Sequence, residues 1–204
     1  MARPRGIDDA VILRATEQVM GRVGPGGFTL AAVAREVGLV PGTLVQRFGS
    51  KHGLLLALSD RSEKDAGEMA GRVRQSHGSA LGALAALTVE SAAAMDTPET
   101  FANHLAFLCM DLGDPQLYER ALAIHRTQKR AIEEFLIEAV ESGELRAGTE
   151  AAALARTVQA IIAGAGLTWS LEREGTLEER LRRELDAVLS PHIPRRHHDD
   201  LEES

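Results

Sequence analysis

The stretch that decides the fold is residues 28–55, which read FTLAAVAREVGLVPGTLVQRFGSKHGLL. Its capping and breaking residues predict short helices joined by tight turns. Thr29 suits the N-cap of one helix, which Gly38 ends. Pro41 suits the first turn of the next helix, and Ser50 suits the N-cap of a longer one. About three residues separate the first two helices, which is the spacing of a helix-turn-helix.

The short middle helix of this stretch, residues 41–48, has two different faces. Leu44 and Phe48 lie one turn apart and are expected to face the core. The opposite face and its flanks carry Gly42, Thr43, Val45, Gln46 and Arg47. A hydroxyl, an amide and a guanidinium beside a glycine suit hydrogen bonds to base edges and phosphates in a DNA major groove. A solvated face on a small helical bundle is the alternative interpretation.

The rest of the chain continues the helical pattern. Asp8 suits the N-cap of a first helix that Gly24 and Pro25 end. Beyond residue 53, apolar periodicity predicts helices over residues 51–75, 79–95, 98–112, 115–142, 150–174 and 176–190. No strand-like alternation or internal repeat occurs. The sequence therefore predicts an all-α protein of about nine helices, followed by a disordered tail over residues 191–204.

The composition favours a soluble helical protein. Of 204 residues, 44% are hydrophobic and only 3% aromatic, and much of the apolar share is Ala and Leu. The single cysteine, Cys109, excludes an internal disulfide and fits a reducing compartment. We identify no apolar run near the roughly 18 residues of a membrane span. Arg3 and Arg5 precede no apolar stretch, so no secretory signal is predicted and we expect a cytoplasmic protein.

The net charge of −7 is unevenly distributed. Residues 1–52 hold seven Lys and Arg against four acids, a balance of +3. The remainder holds 16 basic and 26 acidic residues, a balance of −10. A basic end on an acidic body would turn that end toward a polyanion. This surplus is a weak indication of nucleic-acid binding when taken alone.

An enzyme is the main alternative class, and the usual catalytic motifs are absent. The glycines of residues 24–27 lack the Lys-Ser/Thr of a phosphate-binding loop, and no Gly-x-Ser-x-Gly elbow occurs. Neither His-Glu-x-x-His nor Glu-x-x-His is present. The histidines and aspartates of the tail are not preorganised for a metal. We therefore predict no enzymatic activity, no metal site and no cofactor.

The stretch resembles the helix-turn-helix of TetR-type bacterial regulators. That family has a small-residue helix, a glycine turn, a recognition helix ending in an aromatic residue, then Ser-Lys and a leucine pair. The matching positions in this chain are Gly38, Gly42, Thr43, Leu44, Phe48, Ser50, Lys51, Leu54 and Leu55. The length and the helical C-terminal region are also similar. The resemblance implies a three-helix DNA-binding module over residues 1–52 and a helical effector-binding and dimerisation domain over residues 53–190.

The resemblance also implies roles for individual residues of the module. Thr43 and Gln46 would read bases, while Thr29, Arg47 and Lys51 would hold phosphates. Arg3 and Arg5 would form an arm onto the backbone or minor groove. Including the turn, the predicted DNA-binding residues are Arg3, Arg5, Thr29, Val40, Pro41, Gly42, Thr43, Gln46, Arg47 and Lys51. The chain departs from the family where Val45 replaces a usual Tyr, Arg47 a usual His and Val40 a common Ser.

For the body, we predict a homodimer interface on the last two helices, since such regulators pair these helices into a four-helix bundle. The interface residues would be Leu154, Val158, Ile161, Ile162, Ala165, Leu177, Leu181 and Leu185. Small residues of the same region would let another helix approach closely: Ala160, Ala163, Gly164 and Gly166. An intramolecular core face is the alternative. A mainly apolar effector cavity would be lined by Met69, Met95, Phe101, His104, Leu105, Phe107, Leu108, His125, Gln128 and Trp169.

The expected function is a sequence-specific regulator that binds double-stranded DNA at an inverted-repeat operator. By resemblance it would be a repressor that a small, largely apolar effector releases, through a swing of the fourth helix that changes the spacing of the two modules. An activator of the same family is one alternative. A helical protein-interaction module that keeps the fold without binding DNA is another.

Overall fold

The computed structural model describes residues 7–195, and that part of the chain is built from α-helices. The helices are α1 (Asp9–Gly27), α2 (Leu30–Glu36), α3 (Pro41–Phe48), α4 (Lys51–Ser76), α5 (Ala80–Ser91), α6 (Pro98–Asp111), α7 (Pro115–Glu141), α8 (Ala151–Glu172) and α9 (Leu177–Leu189). A short 3-10 turn, Ser190–His192, follows α9. The predicted all-α class and the nine predicted helices are confirmed for residues 7–195; α5 ends four residues earlier than predicted.

The helix ends follow local capping chemistry. The side chains of Asp8, Thr29 and Ser50 each accept a hydrogen bond from a backbone N–H in the first turn of the helix that follows. Gly24 interrupts α1 with a φ of +62°, where a side chain would be strained and would also meet Asn103 of α6. One further helical turn containing Pro25 follows this kink.

The N-terminal core lies where α1, α2, α3 and the start of α4 meet. Ile12, Val19, Val33 and Leu44 are each 0% exposed in this cluster. Burying one such side chain contributes about 1.5–3 kcal/mol, so these residues fix α3 against α1 and α2.

This core also takes residues from the body of the protein. The Phe107 ring of α6 meets the Phe28 ring edge-on, with 5.4 Å between centroids. Leu117 of α7 belongs to the same buried cluster. The boundary expected between residues 52 and 53 falls inside the first turn of α4, which runs unbroken from one core into the other. The helix-turn-helix module therefore shares its packing with α6 and α7.

The core of the body is formed by the second half of α4 together with α5, α7, α8 and α9. Phe135 and Leu136 of α7, Leu84 of α5 and Val158 of α8 are 0% exposed at its centre. Ion pairs also connect α4 to α7 along their length. They are Asp60–Arg120 at 2.6 Å and Arg74–Glu134 at 3.2 Å, and a hydrogen bond of 3.1 Å joins His52 of α4 to Asp114, the N-cap of α7.

Helix α8 is long and apolar enough to cross a membrane by length and composition alone, with a mean hydropathy of 1.3 over its best 18 residues. This corrects the sequence-based statement that no such run exists. Small residues explain why the run was missed, since alanines and glycines raise the hydropathy without bulky side chains. Six residues of α8, among them Leu154, Val158 and Trp169, are buried within the fold, as happens in the core helix of a globular protein.

The chain after α9 remains attached to the body for a few residues. The N–H of Arg146 donates to the carbonyl oxygen of His192 at 2.9 Å, and the N–H of Ile193 donates to that of Ser190 at 3.3 Å. The tail predicted to begin at residue 191 therefore starts with a packed turn, a correction that follows from these backbone hydrogen bonds. Residues 196–204 lie outside the described part of the chain.

Candidate nucleic-acid interface

Helix α3 packs against the core on one side and is exposed to solvent on the other. Leu44 is 0% exposed and Phe48 is half-buried, so both predicted anchors face inward. Gly38, with a φ of +68°, makes the turn that leads from α2 toward α3. Pro41 occupies the first turn of α3, where its missing N–H costs nothing.

The outward face of α3 offers the groups that the sequence suggested. Gly42 and Gln46 are exposed, Thr43 is half-buried, and 47% of Val45 is exposed. Apart from its chain neighbours and its own helix backbone, no atom of residues 7–195 lies within 4 Å of the position of a Cβ on Gly42, so another molecule can approach the backbone closely there. Val40, 67% exposed, presents an apolar side chain at the start of the helix and makes no side-chain cap hydrogen bond.

Arg47 makes contacts that sequence reasoning missed. Its Nη1 donates to the carbonyl oxygen of Ile7 and to Oδ1 of Asp9, the latter at 3.0 Å. These acceptors lie 40 and 38 positions away in the sequence, and no local pattern links them to α3. The guanidinium thus connects the end of α3 to the start of α1.

Lys51 has a similar intramolecular role. Its Nζ donates to the Phe28 carbonyl oxygen at 2.8 Å and lies 5.0 Å from the centre of the Phe28 ring. The ammonium group predicted to hold a phosphate therefore also holds α4 to the turn before α2. A phosphate would have to compete with this contact or share the ammonium group, which has three donor hydrogens.

Thr29 lies at the exposed start of α2. Its Oγ1 accepts the N–H of Ala32 at 3.1 Å, and within residues 7–195 its own hydroxyl proton has no acceptor, so it can donate to a phosphate. The two predicted arm residues, Arg3 and Arg5, lie outside the described residues.

Several of the predicted effector residues are used in packing, and three of them, Met95, Phe101 and Trp169, lie together in one cluster. Phe107 lies in the N-terminal core against Phe28. The Phe101 ring lies against the backbone of Gly166, where a Cβ would approach it to 2.3 Å. Trp169 is 3% exposed, and its indole N–H donates to the carbonyl of Gly175 at 3.1 Å. Met69 and Met95 pack against the body cores.

The remaining predicted effector residues lie at a joint or on the surface. His104 faces Gly21 of α1, and burial lowers its pKa below the ordinary value of 6.5. The neighbouring Asn103 donates from Nδ2 to the Gly21 carbonyl at 2.7 Å, so this part of α6 docks the module. The other four residues are exposed or partly exposed: Leu105, Leu108, His125 and Gln128.

An open cleft of about 220 Å³ lies elsewhere, where the end of α4 meets α5 and α7. Its lining includes Arg74, His77, Phe135 and Glu138, and none of the ten predicted effector residues. Glu144 at its edge accepts the N–H groups of Ala80 and Leu81 at the start of α5. This carboxylate already satisfies that helix N-terminus.

The predicted dimer residues face the core of their own protomer. Most are buried: Leu154, Val158, Ala165, Leu177, Leu181 and Leu185 are each 0–6% exposed, while Ile161 and Ile162 are half-buried. The opposite face of α8 is the one that is open. It carries the small residues Ala160, Ala163 and Gly164 beside Leu167, 48% exposed, and Leu171, 76% exposed. This burial favours the alternative interpretation of an intramolecular core face, and the ambiguity arises because α8 is apolar on both sides.

Two family models match the chain. Residues 12–58 match the model of bacterial regulatory proteins of the tetR family. Residues 108–185 match a model of the tetracyclin repressor-like C-terminal domain. No curated protein matches the chain.

Solved structures with the same fold cover almost the whole chain. The TetR family transcriptional regulator PfmR from Thermus thermophilus is 19% identical, covers 88% of this chain and 97% of its own, and has a TM-score of 0.65. SmeT, the repressor of the Stenotrophomonas maltophilia multidrug efflux pump SmeDEF, is 20% identical, with coverages of 94% and 93% and a TM-score of 0.64. A Saccharomonospora viridis protein in complex with choline is 19% identical, with coverages of 92% and 98% and a TM-score of 0.75.

At these identities the solved structures establish the fold, and the two family models establish the relationship. The first model covers the helix-turn-helix and runs into α4, and the second lies within the helical body. The chain therefore belongs to the TetR family of bacterial regulatory proteins, which are DNA-binding transcriptional regulators and not enzymes.

Proposed function

We propose that this protein is a cytoplasmic, homodimeric repressor that binds an inverted-repeat operator and releases it when a small effector binds. The carrying observation is the orientation of α3, in which Leu44 is fully buried while Gly42 and Gln46 face outward. A recognition helix held in this way can enter a major groove without disturbing the core.

Selection of bound sequences from a random duplex pool tests the operator. The expected result is an inverted repeat whose half-sites are related by the two-fold axis of a dimer. One α3 contacts few base pairs, so two copies are needed for useful specificity. Recovery of a single unpaired half-site, or of no motif, would contradict the proposal.

The exposed face of α8 supports the dimer. Ala160, Ala163 and Gly164 permit close approach of a second helix, and Leu167 and Leu171 supply apolar area beside them. Exposed apolar faces of this kind are typical of protein contacts. We assign this face, rather than the buried one, to the partner subunit.

The effector is expected to be mainly apolar with one or two polar groups. Leu105 and Leu108 lie one turn apart on α6 and remain exposed, while His125 and Gln128 offer accessible polar groups on α7. The choline complex of a structurally similar protein agrees with a small, partly apolar ligand. A compound panel screened by thermal shift and then by DNA release tests this. Each tenfold loss of DNA affinity on adding a compound corresponds to a coupling of about 1.4 kcal/mol.

A repressor is favoured over an activator by the structural similarity to SmeT, which is described as a repressor. A promoter–reporter assay decides between them: deletion of the gene should raise expression from a promoter that carries the selected operator. Lowered expression would indicate an activator.

A helical protein-interaction module is the second candidate, favoured by the intramolecular contacts of Arg47 and Lys51. A salt titration separates the two. Binding to DNA should weaken steeply as salt rises, because phosphates release counterions, whereas an apolar protein contact should respond far less.

A further inference from the structure

We propose that Asp9 is a positioning residue for DNA binding, which holds the Arg47 guanidinium in place to contact a phosphate. The inference rests on the proposed DNA-binding function and assigns a role to a residue of α1 that lies outside the recognition helix.

Arg47 uses only one of its three side-chain nitrogens in its contacts with the rest of residues 7–195. Both protein acceptors, the Ile7 carbonyl and Asp9 Oδ1, are bound through Nη1. Within residues 7–195, the Nε and Nη2 donors make no hydrogen bond to the protein. That free edge is the one an arginine uses to bind a phosphate with two parallel hydrogen bonds.

The position of Arg47 carries the second step. It follows Thr43 by one helical turn, so it projects from the same side of α3 as the predicted base-reading residues. Its side chain is 28% exposed and therefore largely packed, while Asp9 is 60% exposed. We infer that the exposed part includes this free edge, which can meet a phosphate while Nη1 remains bound.

Preorganisation gives the energetic reason. A free arginine side chain loses rotamer entropy when it binds, and fixing one such side chain costs about 0.5–1.5 kcal/mol. Asp9 and Ile7 impose this restriction before DNA arrives. An exposed ion pair contributes little to stability itself, so the expected effect lies in DNA affinity rather than in folding.

The proposal predicts that removing the Asp9 carboxylate changes DNA affinity in the opposite direction to that expected from long-range electrostatics. Removing a carboxylate near a polyanion should strengthen binding if only long-range charge matters. We instead expect Asp9→Ala to weaken binding to a mixed-sequence duplex about three- to tenfold. The slope of log affinity against log salt should fall by about 0.9, the value of one phosphate contact. Asp9→Glu should restore most of the affinity.

Asp8→Asn is the matched control. It removes the same charge one residue away, and asparagine can still accept the N–H of Ala10 as the N-cap. This variant should bind as tightly as wild type or more tightly. Thermal unfolding of each variant checks that the fold is retained.

A double-mutant cycle completes the test. In an Arg47→Ala background, Asp9→Ala should cause no further loss of affinity. Equal or tighter binding by Asp9→Ala alone, or an undiminished loss in the Arg47→Ala background, would overturn the positioning role while leaving DNA binding intact. A wild-type protein that shows no salt-dependent binding to the duplex would instead overturn the proposed function.

Discussion

Some residues of the module combine a proposed DNA contact with a structural contact inside the protein. Lys51 and Arg47 carry charges suited to phosphate, and in the protein alone both also hold separate helices together. A loss of DNA binding on mutating Lys51 would therefore mix a lost contact with a loosened turn at Phe28. Gln46 has no such intramolecular bond among the described residues, which makes it the cleaner probe of base reading.

We expect Gln46→Ala to change which sequences are preferred while leaving the salt slope near that of wild type. The amide would contact base edges, where each good pair contributes about 1–3 kcal/mol of discrimination, and not the phosphates. Repeating the duplex selection with the variant measures this. Gln75→Ala, exposed at the end of α4, serves as control. An unchanged motif would remove Gln46 from the reading face.

His104 predicts a pH dependence of stability. Burial lowers its pKa in the folded state, so the unfolded chain binds the proton first as pH falls below about 6.5. The stabilising contribution of neutral His104 is complete above that pH and is lost below it. Urea unfolding at pH about 7.5 and about 5.5 should show a smaller pH-dependent loss for His104→Gln than for wild type.

The exposed Gln75 gives the comparison for that experiment, because its side chain does not titrate. Gln75→Ala should keep the wild-type dependence on pH. If it loses the same part of that dependence as His104→Gln, the effect does not come from the joint between α1 and α6.

At the scale of elements, helix bounds were predictable where their signals are local. Thr29, Pro41 and Ser50 act on the first turn that follows them, so the starts of α2, α3 and α4 could be located from sequence. The side of α8 that faces the core could not be predicted from the sequence. It carries apolar residues all around, and periodicity alone does not say which side meets α7 and α9.

The same limit applies to the sites. The reading face of α3 follows from Leu44 and Phe48 within one short helix. The chemistry of a side chain suggests an effector contact, but whether that side chain is used in packing depends on distant partners. Examples are Phe28 for Phe107 and Gly166 for Phe101.

The contact between α6 and α8 yields a stability prediction. Gly166→Ala would place a Cβ 2.3 Å from the Phe101 ring, and we expect it to lower the free energy of unfolding by about 1–3 kcal/mol through overpacking. In Gly71→Ala of α4 the new Cβ meets no atom of residues 7–195 within 4 Å beyond its chain neighbours and its own helix backbone, and the variant should be more stable by about 0.5–1 kcal/mol. Denaturant unfolding measures both. A neutral Gly166→Ala would mean that the ring moves away freely.

At the scale of the whole molecule, the protein is expected to act as a dimer. Replacing both Leu167 and Leu171 by glutamate would introduce charges at the centre of the proposed α8 interface, so sedimentation should show a shift from dimer to monomer and weaker operator binding. Leu112→Glu changes an equally accessible leucine at the end of α6, 59% exposed, and should leave the dimer intact. A doubly substituted protein that stays dimeric would place the interface elsewhere.

The edge-on pair of Phe28 and Phe107 has a consequence for building chimeric regulators. Grafting residues 1–52 onto a foreign body would separate Phe28 from the ring it packs against and Gly21 from the amide of Asn103. The recipient would meet the graft with an unmatched surface on its own α6. The unit to transfer is therefore the helix-turn-helix module together with α6. Chimeras that keep the contact between α1 and α6 should retain both DNA specificity and the response to effector.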